Sequence, residues 1–293
     1  MTPACQSLFG KTPLLLTTLI LIACSYPKAH AQFAAAVTPP RFELQTDPGN
    51  VTRQVLEITH AIQGTGNYKV YTTDWSMDAT GALSFYEKIQ PGSCRPWVAI
   101  ERKEVAVAMG TRVRFRFEVS PPADVKPQEC RFALMIESKP QEVQPGPTAS
   151  FPMNGRIAVI VYVSIGDVMP LLEAGAVSIV TVDGQVAPGI SIRNSGAATG
   201  RLTGFVKGLD ASGAAIEFQP ESVPILPEQT RVIALLPYEP GMKPNAVGVN
   251  AASARPSIKW PLAVNGTLEF GISGVGKIPV NLKVDNVAVR PKQ

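Results

Sequence analysis

Residues 112 to 119 read RVRFRFEV, so that Val113, Phe115, Phe117 and Val119 alternate with Arg112, Arg114, Arg116 and Glu118. Successive side chains of a strand point to opposite faces, and a strand with one face in a core and one in water satisfies both sets. A helix would scatter the same charges through its apolar stripe. Comparable runs recur at short intervals: QVLEITHAI, NYKVYTTDW and CRFALMIES, then AVSIVTVDG, GISIRNSG, RLTGFVKGLD, AIEFQ, TRVIALLPY, NGTLEFGI and KIPVNLKVD. Each is rich in β-branched or aromatic residues and is bounded by Gly, Pro, Asn or Asp. The 27 prolines and 24 glycines oppose long helices, and strands at this spacing favour sandwiches. A chain of 293 residues can bury two ordinary cores. The expectation is therefore all-β, with two β-sandwich domains in tandem and a boundary in GDVMPLLEAG, residues 166–175.

One stretch does not alternate. In NGRIAVIVYVSIGD, residues 154–167, apolar side chains run unbroken from Ile157 to Val163, and Ile165 follows a single serine. A continuous apolar strand is one covered on both faces. Either its own domain covers both, or one face waits for a partner. The run is far shorter than the roughly 20 residues a transmembrane helix needs.

Residues 1–31 have the form of an export signal. Lys11 precedes the apolar run TPLLLTTLILIA, and Ala29 and Ala31 in KAHA are the small residues a signal peptidase accepts before Gln32. A second processing site competes with that one, because LIAC, Leu21 to Cys24, resembles a bacterial lipobox and would leave the chain lipid-anchored through Cys24. Cys5 and Cys24 belong to the leader; Cys94 and Cys130, 36 positions apart, remain. An even pair in an oxidising compartment reads as one disulfide, restricting the unfolded chain by something on the order of 3 to 4 kcal/mol. The other reading, a metal pair, has no CxxC or His-rich spacing beside it.

The sequence is poor in catalytic motifs. The formal net charge of +4, of which Lys11 and Lys28 in the leader supply two, is spread without blocks and gives no nucleic-acid footprint. His60 is the one histidine beyond the leader; on a strand it reads as a surface or packing residue, and no GxSxG motif offers it a nucleophile. GISGVGK, Gly271 to Lys277, imitates a phosphate-binding loop, but Ile278 stands where Ser or Thr must hold magnesium. It reads as a turn. No cofactor, metal or small-molecule substrate is expected, and no enzymatic activity. Trp75 and Trp97 read as core residues. Trp260 lies in a Pro/Gly/Ala-rich segment, 237–263, longer than an ordinary loop.

Several stretches, in order, carry a resemblance to a known family: VTPPRFEL; WSMDATGALSFYE; GSCRPWVAIERKEVAVAMGTRVRFRFEVSPP; CRFALMIES; GRIAVIVYVSIGD; then GISIRNSGAATGRLTGFVKGLDASGAAIEF and ILPEQTRVIALLP. Over most of residues 37–237 the chain resembles the periplasmic chaperones of the chaperone/usher pathway, which assist fimbrial (pilus) subunits. The resemblance implies two immunoglobulin-like sandwiches, a pilus-chaperone-type domain over 32–166 and a second over 171–290, in a periplasmic protein.

It also implies a mechanism. The last strand of the first domain is lent to an incomplete subunit by β-strand addition, in which backbone hydrogen bonds supply affinity and alternate side chains fill pockets. Here KPQEVQPGPTASFPM, 139–153, corresponds to the preceding loop and GRIAVIVYVSIGD to the lent strand. The expected phase points Met153, Ile157, Val159 and Val161 at the client and Ala158, Ile160 and Tyr162 at the chaperone's own core. Slipping by one residue would exchange the two sets. Arg41 in PRFEL matches a basic anchor for the client's C-terminal carboxylate. The family's second anchor, a lysine on the lent strand, has no match at Ile160 or Ser164, and Arg156 lies on the wrong side of the run. Implied partners are fimbrial subunits and an outer-membrane usher; a naked apolar edge would also let the free protein pair with a second copy in a self-capping dimer. Two other classes stay open: a structural or adhesive cell-surface β-sandwich, and a hydrolase on a β scaffold.

Overall fold

The computed structural model describes residues 35–139, 155–238, 258–271 and 276–284. The leader with Cys24, the loop 140–154 with Met153, and most of the segment 237–263 lie outside them. The first half supplies β1 (Ala35–Thr38), β2 (Arg41–Thr46), β3 (Thr52–His60), β4 (Thr65–Met77), β5 (Leu83–Tyr86), β6 (Val98–Ile100), β7 (Glu104–Ala108), β8 (Arg112–Val119), β9 (Gln128–Ser138) and β10 (Arg156–Ile165). The second supplies β11 (Leu172–Val182), β12 (Gln185–Asn194), β13 (Leu202–Thr203), β14 (Val206–Leu209), β15 (Ala215–Pro220), β16 (Thr230–Tyr238), β17 (Leu262–Phe270) and β18 (Gly276–Val284). The expected all-β architecture is the one found. None of the described helices is long and apolar enough to cross a membrane.

The first sandwich packs the sheet β1-β3-β8-β6 against β2-β10-β9-β4, with β5 and β7 both paired to β4. Strand β8 shows its alternation directly: Phe115, Phe117 and Val119 are buried while Arg112, Arg114 and Arg116 are exposed. Across the outer face Arg53 of β3 meets Glu118 at 3.2 Å and Glu57 meets Arg112 at 3.7 Å. Exposed pairs of this kind contribute about 0.2 to 1 kcal/mol each, so apolar burial carries the sheet. Inside, Phe117 stands edge-on to Phe42 and Phe132, with ring centroids at 5.1 and 6.1 Å. Cys94 and Cys130 form the expected disulfide within this core, their Cα atoms 5.6 Å apart. His60 is buried and its Nδ1 lies 2.6 Å from the Tyr68 hydroxyl, a packing role.

The second sandwich is built on one strand that serves two layers. Thr230 to Ala234 of β16 pair with β12, while Leu235 to Tyr238 pair with β15. The sheet runs β11-β12-β16-β15-β14-β17-β13 with β18 on β17, and β18 comes to lie beside β11. It encloses a core that includes Ile190, Ile192, Phe218, Ile225, Ile233, Leu235 and Val264, with Trp260 packed against it.

The same five-residue turn appears in both halves. Asp78 accepts bonds from the Thr80 amide and hydroxyl and the Ala82 amide; Asp210 accepts from the Ser212 amide and hydroxyl and the Ala214 amide. The glycine at the fourth place has φ of +92° at Gly81 and +78° at Gly213, which a side chain would resist. The hydroxyl bonds from Thr80 and Ser212 hold both carboxyls below the usual range.

Asn194 pins a loop of the second half. It is fully buried, and its side chain accepts from the Leu171 and Gly196 amides and donates to the Ala198 and Ile225 carbonyls. All its hydrogen-bonding capacity is used. A Cβ at Gly196 would fall 2.3 Å from the Leu171 nitrogen, so only glycine fits there. The loop 195–201 is thereby held against the chain that joins the two cores, and it presents Thr199 and Arg201 to the first sandwich.

Candidate cleft between the sandwiches

The apolar run on β10 packs on both faces, one in the core of its own sandwich and the other, less deeply, in a cluster to which the second half adds Leu226. Val159, Val161, Val163 and Ile165 are fully buried in the first core, and Ile157 packs at its margin. Ala158, Ile160 and Tyr162 turn the other way, into a cluster with Tyr71, Trp75, Met77, Met135 and Leu226. Leu226 comes from the second half. Trp75 stands edge-on to Tyr162 at 5.5 Å and donates its indole N–H to the Phe132 carbonyl at 3.1 Å.

The expected phase of the strand is thus reversed. Ile157, Val159 and Val161, assigned to a client, lie on the side of the chain's own core, and Ala158, Ile160 and Tyr162, assigned to that core, point away from it. The neighbour decides. Strand β2 runs parallel to β10 with Phe42 opposite Val161 and Leu44 opposite Val163, and its alternation puts Phe42 and Leu44 inside. Paired residues share a face, so the odd-numbered residues of β10 follow. Met153 lies outside the described residues.

Polar contacts seal the two halves together around this cluster. The Gln229 amide donates to the Met77 carbonyl at 2.8 Å, and Arg231 Nη1, against the Met77 sulfur, donates to the Pro224 carbonyl at 3.1 Å. Thr199 donates both its amide and its hydroxyl to buried Glu129, at 2.6 Å each. Burial pushes the Glu129 carboxyl up, against the Thr199 bonds and the Arg131 guanidinium at 3.6 Å, which pull it down. Burial likewise pushes the Tyr162 phenol up.

Arg41 and Glu43 alternate outward on β2, opposite Ile160 and Tyr162 in the parallel ladder. That register brings both to the cleft. Arg41 Nε reaches Glu43 Oε1 at 3.1 Å, and Arg201 Nε, from the second half, reaches the same oxygen at 2.9 Å. Arg201 is further held by the Tyr162 hydroxyl at 3.2 Å and the Ser222 carbonyl at 3.3 Å, with its guanidinium carbon 5.5 Å from the Tyr162 ring centroid. Its side chain is 13% exposed, against 46% for Arg41 and 54% for Glu43.

Arg201 and Glu43 are residues the sequence reading missed. Ile160 and Ser164 leave β10 without a cation at the expected places, whereas Arg201 brings one from the opposite wall. Nothing local marks it. It stands 158 positions from Glu43, and the bend that joins them is a property of the whole chain.

Beside the cleft, one edge of β10 is open. Ile160 to Ile165 pair with β9 on one side and β2 on the other, but Arg156 to Val159 pair with β9 alone. The preceding strand β1 has crossed at Pro39 and Pro40 to the opposite sheet, where it pairs with β3. Among the described residues, no strand covers that half of the edge. Nor does any group of three or more His, Cys, Asp or Glu among them suit a metal ion.

No family model matches the sequence, and no curated protein matches it. Among solved structures, the chain is similar to the class 5 fimbriae chaperone CfaA at 13% identity and a TM-score of 0.42, over 86% of this chain and 100% of that one. The YadV chaperone is similar at 8% identity and a TM-score of 0.44, over 86% and 100%. The Pseudomonas aeruginosa CupB2 chaperone is similar at 8% identity and a TM-score of 0.44, over 85% and 100%. At such identities and TM-scores nothing is carried over from these proteins, and function rests on the cleft and the strand edge themselves.

Proposed function

We propose that this protein is an exported, non-enzymatic assembly chaperone of the periplasm, with a leader over 1–31 and domains over 32–166 and 171–290. It binds incomplete fimbria-like subunits by β-strand addition and hands them to an outer-membrane usher. Among the described residues no strand lies beside Arg156 to Val159, and this carries the reading: backbone groups left unpaired along an apolar strand are a template for another strand. The order of motifs in the sequence supports it, and so does the convergence of Arg41 and Arg201 at the end of the same edge.

The reversed phase changes what a client meets. Val159 and Val161 stay in the chaperone's own core and Ile160 in the cluster shared with Leu226, so Ala158 is the side chain the half-edge offers, and the main contribution is backbone hydrogen bonding. Arg41, with Arg201 across from it, is placed to hold a terminal carboxylate where the client strand enters the cleft.

Amide hydrogen exchange tests the reading. Along β10 alternate amides bond to β9 or face the opposite edge. Those between 156 and 159 that face the open edge should exchange quickly in the isolated protein and at least about tenfold more slowly with an excess of an extended peptide of alternating valine and threonine. Equal exchange with and without peptide would show that the half-edge takes up no strand and favour a structural surface module.

A further inference from the structure

We infer that Glu43 is an internal occupant of a two-arginine carboxylate site, and that an incoming carboxylate must displace it. The inference rests on the proposed chaperone reading for the source of that carboxylate, a client chain's C-terminus. Its basis is the geometry of a single oxygen. Glu43 Oε1 lies between Arg41 Nε at 3.1 Å and Arg201 Nε at 2.9 Å, one guanidinium from each half of the molecule.

The three side chains are held unequally. Arg201 is nearly buried and fixed from three directions, by Glu43, the Tyr162 hydroxyl and the Ser222 carbonyl. It is a preorganised half of a carboxylate fork. Glu43 and Arg41 are each about half exposed, and an ion pair in that position is weakly held. Glu43 has room to rotate into water, at the cost of the carboxylate that Arg201 and Arg41 share. Doing so leaves two guanidinium groups facing one another across the cleft, an arrangement only another anion relieves. A chain-terminal carboxylate taking Glu43's place inherits both cations and, through them, a contact with both halves.

Glu43 therefore sets a threshold. If it fills the site about nine-tenths of the time, it lowers the apparent affinity for an external carboxylate about tenfold. This makes Glu43 a specificity-determining residue, because ligands without a carboxylate gain nothing when it leaves.

N-acetylglycine, a minimal peptide C-terminus, and N-acetylglycinamide serve as probes at fixed ionic strength. Binding is read from the arginine Nε–Hε NMR resonances of the full-length mature protein. Wild type should bind N-acetylglycine weakly, and Glu43→Gln at least about tenfold more tightly. Glu43→Asp, too short to reach both arginines, should also gain. Neither variant should gain affinity for the amide, and adding Arg201→Ala to Glu43→Gln should erase the increase. Unchanged or weaker N-acetylglycine binding by Glu43→Gln, or an equal gain for the amide, overturns the inference. The small probe reports on the arginine pair alone and peptide-dependent exchange on the β10 edge alone, so either can fail without the other.

Discussion

Glu129 shows how one residue couples the two halves to pH. Its carboxyl is buried against Thr199 of the second half and is pushed above the usual range chiefly by loss of water. The folded protein then keeps a proton that the unfolded chain has already released. The stabilisation from that proton is complete below the ordinary carboxylate range, about pH 4.3, and is lost as pH rises through the folded-state value. Denaturant titrations across pH 4 to 8 should show wild type losing stability relative to Glu129→Gln as pH rises. The glutamine keeps both Thr199 contacts without the charge. A difference that stays flat over that range would mean Glu129 carries no raised value. Asp78 and Asp210 act in the opposite sense: their lowered values favour the folded state above the ordinary range and cease to do so as pH falls through them. The Glu129 shift was not legible in the sequence, because Thr199 lies 70 positions from Glu129 and only the packed fold removes the water between them.

At the scale of one element, β10 shows which parts of a strand can be read in advance. Its existence, and its need for an apolar neighbour on each face, follow from the unbroken apolar run. Its phase does not, because every residue from Ile157 to Val163 is apolar and a shift by one changes nothing in the pattern. The neighbour β2, with Arg41, Glu43 and Gln45 outward and Phe42 and Leu44 inward, supplies the missing information. Single cysteines at Ala158 and Val159 test the result in the native, disulfide-bonded protein. A cysteine at 158, on the half-buried cleft face, should be alkylated at least about tenfold faster than one at 159, which is reached only by opening of the core. Faster labelling at 159 would restore the opposite phase and with it the side chains first assigned to the client.

Across the whole molecule, the two sandwiches share an apolar cluster with polar contacts around it. Trp75, Met135, Ile160 and Tyr162 of the first half meet Leu226 of the second, while Gln229, Arg231, Thr199 and Arg201 bond across the same junction. A junction closed this way ties the halves energetically, so calorimetry of the mature protein should show a single unfolding transition. Leu226→Asp places an unpaired charge in the cluster, costing several kcal/mol, and should split the transition in two or lower it by about 5 °C or more. One transition at the wild-type temperature would show that the halves do not depend on the junction.

What the sequence determined by itself is whatever repeats locally: the alternation of β8, the Gly and Pro punctuation that excludes long helices, and a cysteine pair that closes within one core. These are set by backbone sterics and by the period of a strand, both of which act over a few residues. The tertiary structure alone decided the phase of β10, the convergence of Arg41, Glu43 and Arg201, and the open half-edge left where β1 crosses to the opposite sheet. Each depends on which strand lies beside which, and a one-residue slip in register, nearly invisible in an apolar run, turns every side chain to the other face.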